Sequence, residues 1–242
     1  MIIENQLEKL QQVLTAAKHI VFFGGAGVST ESGLPDFRST NGLFRQNFVY
    51  PLEVMLSRSF FFSHTREFYE FYKAIILNLT ARPNAAHFKL AGLEAAGRLA
   101  AVITQNIDGL HQAAGSRTVL ELHGSIHRNY CLRCQASYDA AMVAKADGIP
   151  YCRCGGLIKP DVVLYEEVLD QAVLAAATAQ LRQADVLIVG GTSLAVYPAA
   201  GLIRHFRGSH LILINKEPGP LDSEATLVLH GPIGEILAQI ES

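Results

Sequence analysis

Leu7, Leu10, Val13 and Leu14 recur at helical spacing within Asn5 to Ala17, so the chain is expected to open with an amphipathic scaffold helix. The pattern then changes. Ile20 to Phe23 is an unbroken apolar run, and comparable β-like runs follow at Ala101 to Thr104, Asp185 to Val189 and His210 to Ile214. Ala-rich helical patterns occupy His87 to Ala96 and Gln171 to Gln183. Short buried strands alternating with helices predict an α/β fold with a mostly parallel sheet and helices on both faces. The runs end in Thr104-Gln105-Asn106, Gly190-Gly191-Thr192-Ser193 and Asn215-Lys216-Glu217. Ligands of open α/β sheets bind outside the carboxyl ends of the strands, so these endings are expected to converge on one site.

Two stretches break the alternation. Asn41 to Ala81 holds Phe60, Phe61, Phe62, Phe68, Tyr69, Phe71 and Tyr72, which reads as a helical module packing on itself or over a cleft. His127 to Gly156 carries all four cysteines and reads as a separate small lobe. Cys131 and Cys134 have the common C-x-x-C spacing; seventeen residues on, Cys152 and Cys154 are one residue closer together. Four thiolates brought together make a closed tetrahedral zinc site, which assigns the metal a structural role. Redox-active thiols are the other reading.

Composition narrows the function. The 242 residues are 50% hydrophobic, enough for a sizeable core, and carry a formal net charge of -2. No Lys/Arg run is present, so nucleic-acid binding through a basic face is not expected. Glu94 and Arg98 interrupt the apolar stretch Ala91 to Ile103, and no run reaches the roughly 20 residues needed to span a bilayer. The opening MIIENQLEKL lacks the pattern of a signal peptide, which makes a cytoplasmic location the expectation.

The densest chemistry lies at Ile20 to Arg38. Gly24, Gly25 and Gly27 let the chain turn sharply and approach a ligand, and a helix starting near Ser29 would add its N-terminal amides to an anion site for a pyrophosphate. A tight turn without a ligand is the competing reading of the glycines alone. The spacing is not the G-x-G-x-x-G of ordinary dinucleotide folds, and the Lys of a P-loop is missing. Pro35, Asp36, Phe37 and Arg38 then set a rigid turn, a carboxylate, a ring and a guanidinium side by side. Further on, Thr104 to His111, TQNIDGLH, packs an amide pair, a carboxylate and an imidazole behind a strand. His123, beside Gly124, is a candidate general base, because imidazole titrates near neutrality. His19, His64, His87, His205, His210 and His230 read as structural.

GAGVSTESGLPDFRS at Gly25 to Ser39, TQNIDGLH, Glu121 to Gly124, the cysteine lobe with Lys159 to Val163, Gly191-Thr192-Ser193 and Asn215 together resemble the sirtuins, the NAD-dependent protein deacylases. The resemblance covers essentially the whole chain in order. It departs at Gly24, where many members have Thr or Ser, and at the shortened second cysteine pair. It implies a Rossmann-like parallel sheet with helices on both faces, formed by about 1–38, 82–126 and 157–242. It also implies a small lobe made of a helical module at about 39–81 and a zinc module at about 127–156.

The function implied is NAD-dependent protein lysine deacetylation, with the acetyl group passing to ADP-ribose and nicotinamide leaving. In sirtuins the acyl oxygen attacks C1′ of the nicotinamide ribose, and ribose hydroxyls and water then open the alkylimidate. By resemblance, His123 is the base, Asp108 and the Ile107 backbone hold the carboxamide, and Phe37 shields the ribose. Arg38 assists the phosphates, while Asn106 and Gln105 position hydroxyls and water. Gly25, Ala26, Thr30, Thr192 and Ser193 line the pyrophosphate and adenosine half, Asn215 meets the adenine ribose, and Ile233 lies near the adenine. Cys131, Cys134, Cys152 and Cys154 hold one structural zinc per chain. The partner is an acylated lysine in a protein or peptide. Mono-ADP-ribosyl transfer and removal of longer neutral acyl groups are the alternatives, and a non-enzymatic NAD sensor is a third. Sirtuins that prefer succinyl or malonyl lysine carry a Tyr and an Arg three residues apart, upstream of the Pro-Asn-x-x-His segment. The matching positions here are Tyr69 and Tyr72, so a neutral acyl group is expected, with Arg66 and Lys73 the cations nearest in sequence.

Overall fold

The computed structural model describes residues 2–37, 42–46 and 48–241. The strands are β1 (Ile20–Gly24), β2 (Leu99–Thr104), β3 (Val119–Glu121), β4 (Gly124–Cys131), β5 (Ser137–Asp139), β6 (Ile158–Val162), β7 (Val186–Gly190), β8 (His210–Asn215) and β9 (Leu227–His230). The α-helices are α1 (Ile2–Ala16), α2 (Leu52–Met55), α3 (Arg58–Ser63), α4 (Thr65–Phe71), α5 (Ala85–Ala95), α6 (Leu110–Ala113), α7 (Ala140–Lys145), α8 (Gln171–Gln183) and α9 (Ile233–Ala238). Six strands form one parallel sheet in the order β3-β2-β1-β7-β8-β9. The other three form an antiparallel sheet, β5-β4-β6.

The parallel sheet is buried on both faces, which is why β1 and β7 read as continuous apolar runs without alternation. On one face, Leu10 and Leu14 of α1, Leu90 and Leu93 of α5 and Leu237 of α9 pack on Phe22, Ile188 and Ile212. On the other, Ala177 and Leu181 of α8 and Leu202 and Ile203 pack on Phe23, Ile103 and Val189. The small sheet and the aromatic helices share a third core. Phe61, Phe68, Tyr69 and Tyr72 lie in one cluster with Ile126, Cys131, Val143 and Ile158, so the cysteine lobe does not stand apart from the aromatic module. Among the described residues, no helix is long and apolar enough to cross a membrane.

The helix expected near Ser29 does not form. The chain makes two single 3-10 turns, Ala26–Val28 and Thr30–Ser32, before Gly33 turns left-handed at φ +82° and Pro35 follows. Gly33 and Pro35 end any helix here within a turn. An anion at this loop would meet amides of short turns and no α-helical dipole.

These turns are anchored from α5. Asn84 caps that helix by accepting the Ala86 amide at 3.0 Å, and its side-chain nitrogen donates to Val28 O at 2.8 Å and Ser32 Oγ at 3.0 Å. His87 Nδ1 accepts the Asn84 amide at 3.2 Å, and its ring lies 4.7 Å from that of His111, which also abuts Phe22. Both imidazoles are buried, and neither ring nitrogen of His111 has a hydrogen-bond partner among the described residues. Burial lowers the pKa of His87 to about 4 and that of His111 to about 3. Both are therefore neutral in the folded protein, whereas in the unfolded chain they take up protons near 6.5. Their contribution to stability is complete above pH 6.5 and falls as the pH drops towards 4. Chemical denaturation between pH 5 and 6 should show a shallower pH slope for His111→Leu than for wild type, by up to about 1.4 kcal/mol per pH unit. Equal slopes would show that His111 protonates freely when folded.

Candidate active site

Strand order reverses direction between β1 and β7, the switch point at which open α/β sheets hold ligands. The loops leaving these two strands touch. Gly25 N donates to Gly190 O at 3.3 Å, and Gly27 N to Gly191 O at 2.8 Å. A Cβ on Gly25 would lie 2.8 Å from Thr192 Cβ, and one on Gly27 would lie 2.8 Å from the Gly191 backbone. Gly191 has φ +58°, and a Cβ there would overlap the Val28 amide. The glycines are thus required first by loop-to-loop packing, and only through it by any ligand. Gln105 ties in β2: its backbone N donates to Gly24 O at 3.0 Å and its Nε2 to Thr192 Oγ1 at 3.0 Å. Asn215, at the end of β8, accepts the Thr192 amide on Oδ1 at 2.9 Å.

These contacts line one cleft of ≈ 290 Å³. Gly25, Ala26, Thr30, Phe37, Gln105, Asn106, His123, Thr192, Ser193, Asn215 and Ile233 all border it. Ile107 and Asp108 border a second cavity, also ≈ 290 Å³, which shares Ala26, Phe37, Gln105, Asn106 and His123 with the first. All the predicted site residues except the cysteines therefore surround two joined cavities, apart from Arg38, which lies outside the described residues.

At the junction, polar groups are tightly partnered. Ser29, 2% exposed, donates from Oγ to Asp108 Oδ2 at 2.7 Å and accepts Asn106 Nδ2 at 3.1 Å. Asp108 Oδ1 accepts the Leu110 amide at 2.9 Å, and the Asn106 amide donates to Thr104 Oγ1 at 3.0 Å. Ser29 thus joins two predicted site residues, a role that its reading as a helix start did not show. The only signal available was a small hydroxyl behind the glycines. Gln105 O lies 2.9 Å from His123 Nδ1. A carbonyl can only accept, so Nδ1 carries the proton and Nε2 of the neutral ring is left with a lone pair. Burial lowers the His123 pKa, which keeps the ring neutral at pH 7.

The second cavity is mainly apolar, lined by Phe37, Tyr72, Ile75, Ile76, Ile107 and Ile126 among others, and no Lys or Arg borders it among the described residues. Of the two tyrosines singled out in the sequence, only Tyr72 reaches it; the Tyr69 hydroxyl donates to Ile158 O. Arg66 is exposed, and Lys73 Nζ donates to Ala146 O and Gly148 O, both at 2.6 Å.

The four cysteines meet at the end of the small sheet. Their sulfurs lie within 4.8 Å of one another, with Cys131 to Cys154 and Cys134 to Cys152 both at 3.5 Å. A tetrahedral zinc with bonds of about 2.3 Å places sulfurs about 3.8 Å apart, so the set fits that ion. Amides of Arg133 and Cys134 point at Cys131 Sγ, and the Tyr138 hydroxyl donates to Cys152 Sγ at 3.0 Å. Such donors favour thiolates. Gly156 is needed beside them, since a Cβ there would lie 2.6 Å from Cys131 Sγ.

A switch-point cleft lined by hydroxyls, amides and glycines, joined to an apolar cavity and flanked by a four-cysteine module, defines a nucleotide-using α/β protein with a structural metal centre. The model of the Sir2 family matches residues 25–198, and the chain belongs to that family. It is 54% identical over 244 residues to a NAD-dependent protein deacetylase of Clostridium acetobutylicum, covering 99% of this chain and 100% of that protein. A solved Sir2 with a p53 peptide and NAD+ superimposes with a TM-score of 0.84 at 40% identity, covering 96% of this chain and 95% of that one. A Sir2 His-to-Ala variant with deacetylated p53 peptide and 3′-O-acetyl-ADP-ribose gives 0.88 at 39% identity, covering 96% of both chains.

Elemental analysis of the reduced protein should find one zinc per chain. Because metal binding is coupled to folding of the module, Cys131→Ser with Cys154→Ser should abolish zinc retention and lower Tm. Unchanged zinc content in the double variant would overturn the ligand set.

Proposed function

We propose that this protein is a NAD-dependent protein lysine deacetylase that binds NAD along the switch-point cleft and the acyl-lysine in the adjoining apolar cavity. The observation that carries this reading is the junction: His123, Asn106, Gln105 and Phe37 border both cavities, where the two substrates would meet. The site fits a dinucleotide, because its walls alternate hydroxyls and amides with backbone that no side chain obstructs. Ile233 and Asn215 take the adenosine end, and Ala26, Thr30, Thr192 and Ser193 take the pyrophosphate. Bound NAD supplies the ribose carbon that accepts the acyl oxygen. The protein does the rest. Asp108 and the Ile107 backbone hold the carboxamide, with Ser29 keeping both Asp108 and Asn106 in place. Asn106 and Gln105 orient ribose hydroxyls and water, Phe37 excludes water from the early step, and His123 Nε2 accepts a ribose hydroxyl proton. Arg38 serves the phosphates. Such positioning supplies much of the rate.

The test is incubation with acetyl-lysine peptide and NAD, followed by mass spectrometry for nicotinamide and O-acetyl-ADP-ribose; ADP-ribose attached to protein instead would show a transferase. His123→Ala should lose on the order of 10²–10⁴-fold in kcat while keeping its Tm and NAD affinity. Near wild-type turnover would remove His123 as the base. Asn106→Ala should also lose kcat with its fold intact.

Among the described residues no Lys or Arg borders the acyl cavity, so a buried carboxylate would find no partner from them there. On one peptide sequence, kcat/KM for acetyl-lysine should exceed that for succinyl-lysine by at least about tenfold. A preference for succinyl would place a cation in the cavity.

A further inference from the structure

Tyr72 opens a π-helical turn, Tyr72–Ile76, in which α4 widens before it ends. Wide turns of this kind are rare and recur at functional sites. Here the turn directs Tyr72, Ile75 and Ile76 to the same apolar cavity. The Tyr72 ring is held by its neighbours, stacked on Phe68 at 5.6 Å and 12°, and edge-on to Tyr69 at 6.2 Å. Its side chain is 1% exposed, and its hydroxyl has no hydrogen-bond partner among the described residues. Tyr69 provides the contrast. Equally buried one helical turn away, it gives its hydroxyl to the Ile158 carbonyl.

A buried hydroxyl without a partner carries a desolvation penalty that phenylalanine, with the same ring, would avoid. Packing therefore accounts for the ring of Tyr72 and leaves its oxygen unexplained. Burial pushes its pKa further above the ordinary phenol value, so the group stays neutral and can both donate and accept.

We infer that Tyr72 determines acyl specificity by hydrogen-bonding a polar, uncharged atom on the acyl chain, so that hydroxyacyl-lysine is favoured over alkyl-lysine of equal length. The inference rests on the deacylase reading above. The ligand class follows from the lining. Apolar walls suit a short carbon chain, one unsatisfied phenol suits one hydroxyl or carbonyl, and a lone phenol does not compensate a buried carboxylate. A site that hydrogen-bonds a substrate hydroxyl discriminates strongly against the analogue that lacks it.

The experiment compares 3-hydroxybutyryl-lysine, as each enantiomer, with butyryl-lysine in one peptide, using wild type and Tyr72→Phe, with nicotinamide release as the readout. For one enantiomer, the wild-type kcat/KM ratio of hydroxybutyryl to butyryl should exceed one, and Tyr72→Phe should lower it about tenfold. A ratio that moves by less than twofold between the two proteins overturns the inference. The free protein gives a second readout. Removing an unpartnered hydroxyl should leave Tm unchanged or raised, and a fall of several degrees would mean that the hydroxyl is already satisfied, by a bound water for instance, which also overturns it. Wild-type turnover of acetyl-lysine is run in parallel. Its absence would sink the deacylase reading and this inference with it, whereas its presence with an unmoved ratio sinks the inference alone.

Discussion

The close approach of two loops, Gly25 to Gly27 after β1 and Gly191 to Thr192 after β7, is the constraint on which the rest of the site depends. Parallel strands end with their carbonyls and side chains directed to the same edge. At the switch point, the connections leave in opposite directions and open a crevice. How wide that crevice is depends on how near the loops come, and here they meet backbone to backbone. Thr192 then lies within reach of Gln105 from β2 and Asn215 from β8, so the ends of four neighbouring strands are joined by main-chain and amide hydrogen bonds. A rim built this way keeps its shape without help from a ligand.

Inside that rim, chemistry is set by which atoms are already engaged. The His123 tautomer is chosen by a backbone carbonyl, and the carboxylate of Asp108 is turned by Ser29 and the Leu110 amide. The Gln105 carbonyl and the Leu110 amide, being backbone, cannot rotate away, and the first of them leaves the lone pair of His123 on Nε2. The buried His87–His111 pair lies behind this layer, where α5 and α6 meet, and its neutrality follows from burying two imidazoles against each other, with Phe22 against the second.

Much of this was legible because local chemistry dictated it. The runs at Ile20, Ala101, Asp185 and His210 are strands because only a sheet buried on both faces suits unbroken apolar segments. The cysteines converge as their spacing implied. What stayed hidden was pairing across long sequence distances. β3 and β9 are only three and four residues long, too short to leave a period. The antiparallel sheet around the cysteines is set by contacts between Gly124–Cys131 and Ile158–Val162. Ser29 is a hub only because Asn106 and Asp108 arrive from another strand end. The glycines looked like room for a ligand, yet the atoms nearest to them belong to the protein.

β4 has a property that follows from its two ends. It starts at Gly124, whose left-handed φ of +76° lets Asp161 O approach where any Cβ would overlap it, and it finishes at Cys131. His123 immediately precedes the strand, so the imidazole and the first cysteine flank a single strand eight residues long, whose pairing with β6 shifts register between Ser125 and Asn129. Between its ends lies Ile126, which borders the apolar cavity and belongs to the aromatic core. The cysteine cluster and the His123 imidazole are thus attached at the two ends of one strand, and the same eight residues carry the chain from the cleft to the four sulfurs.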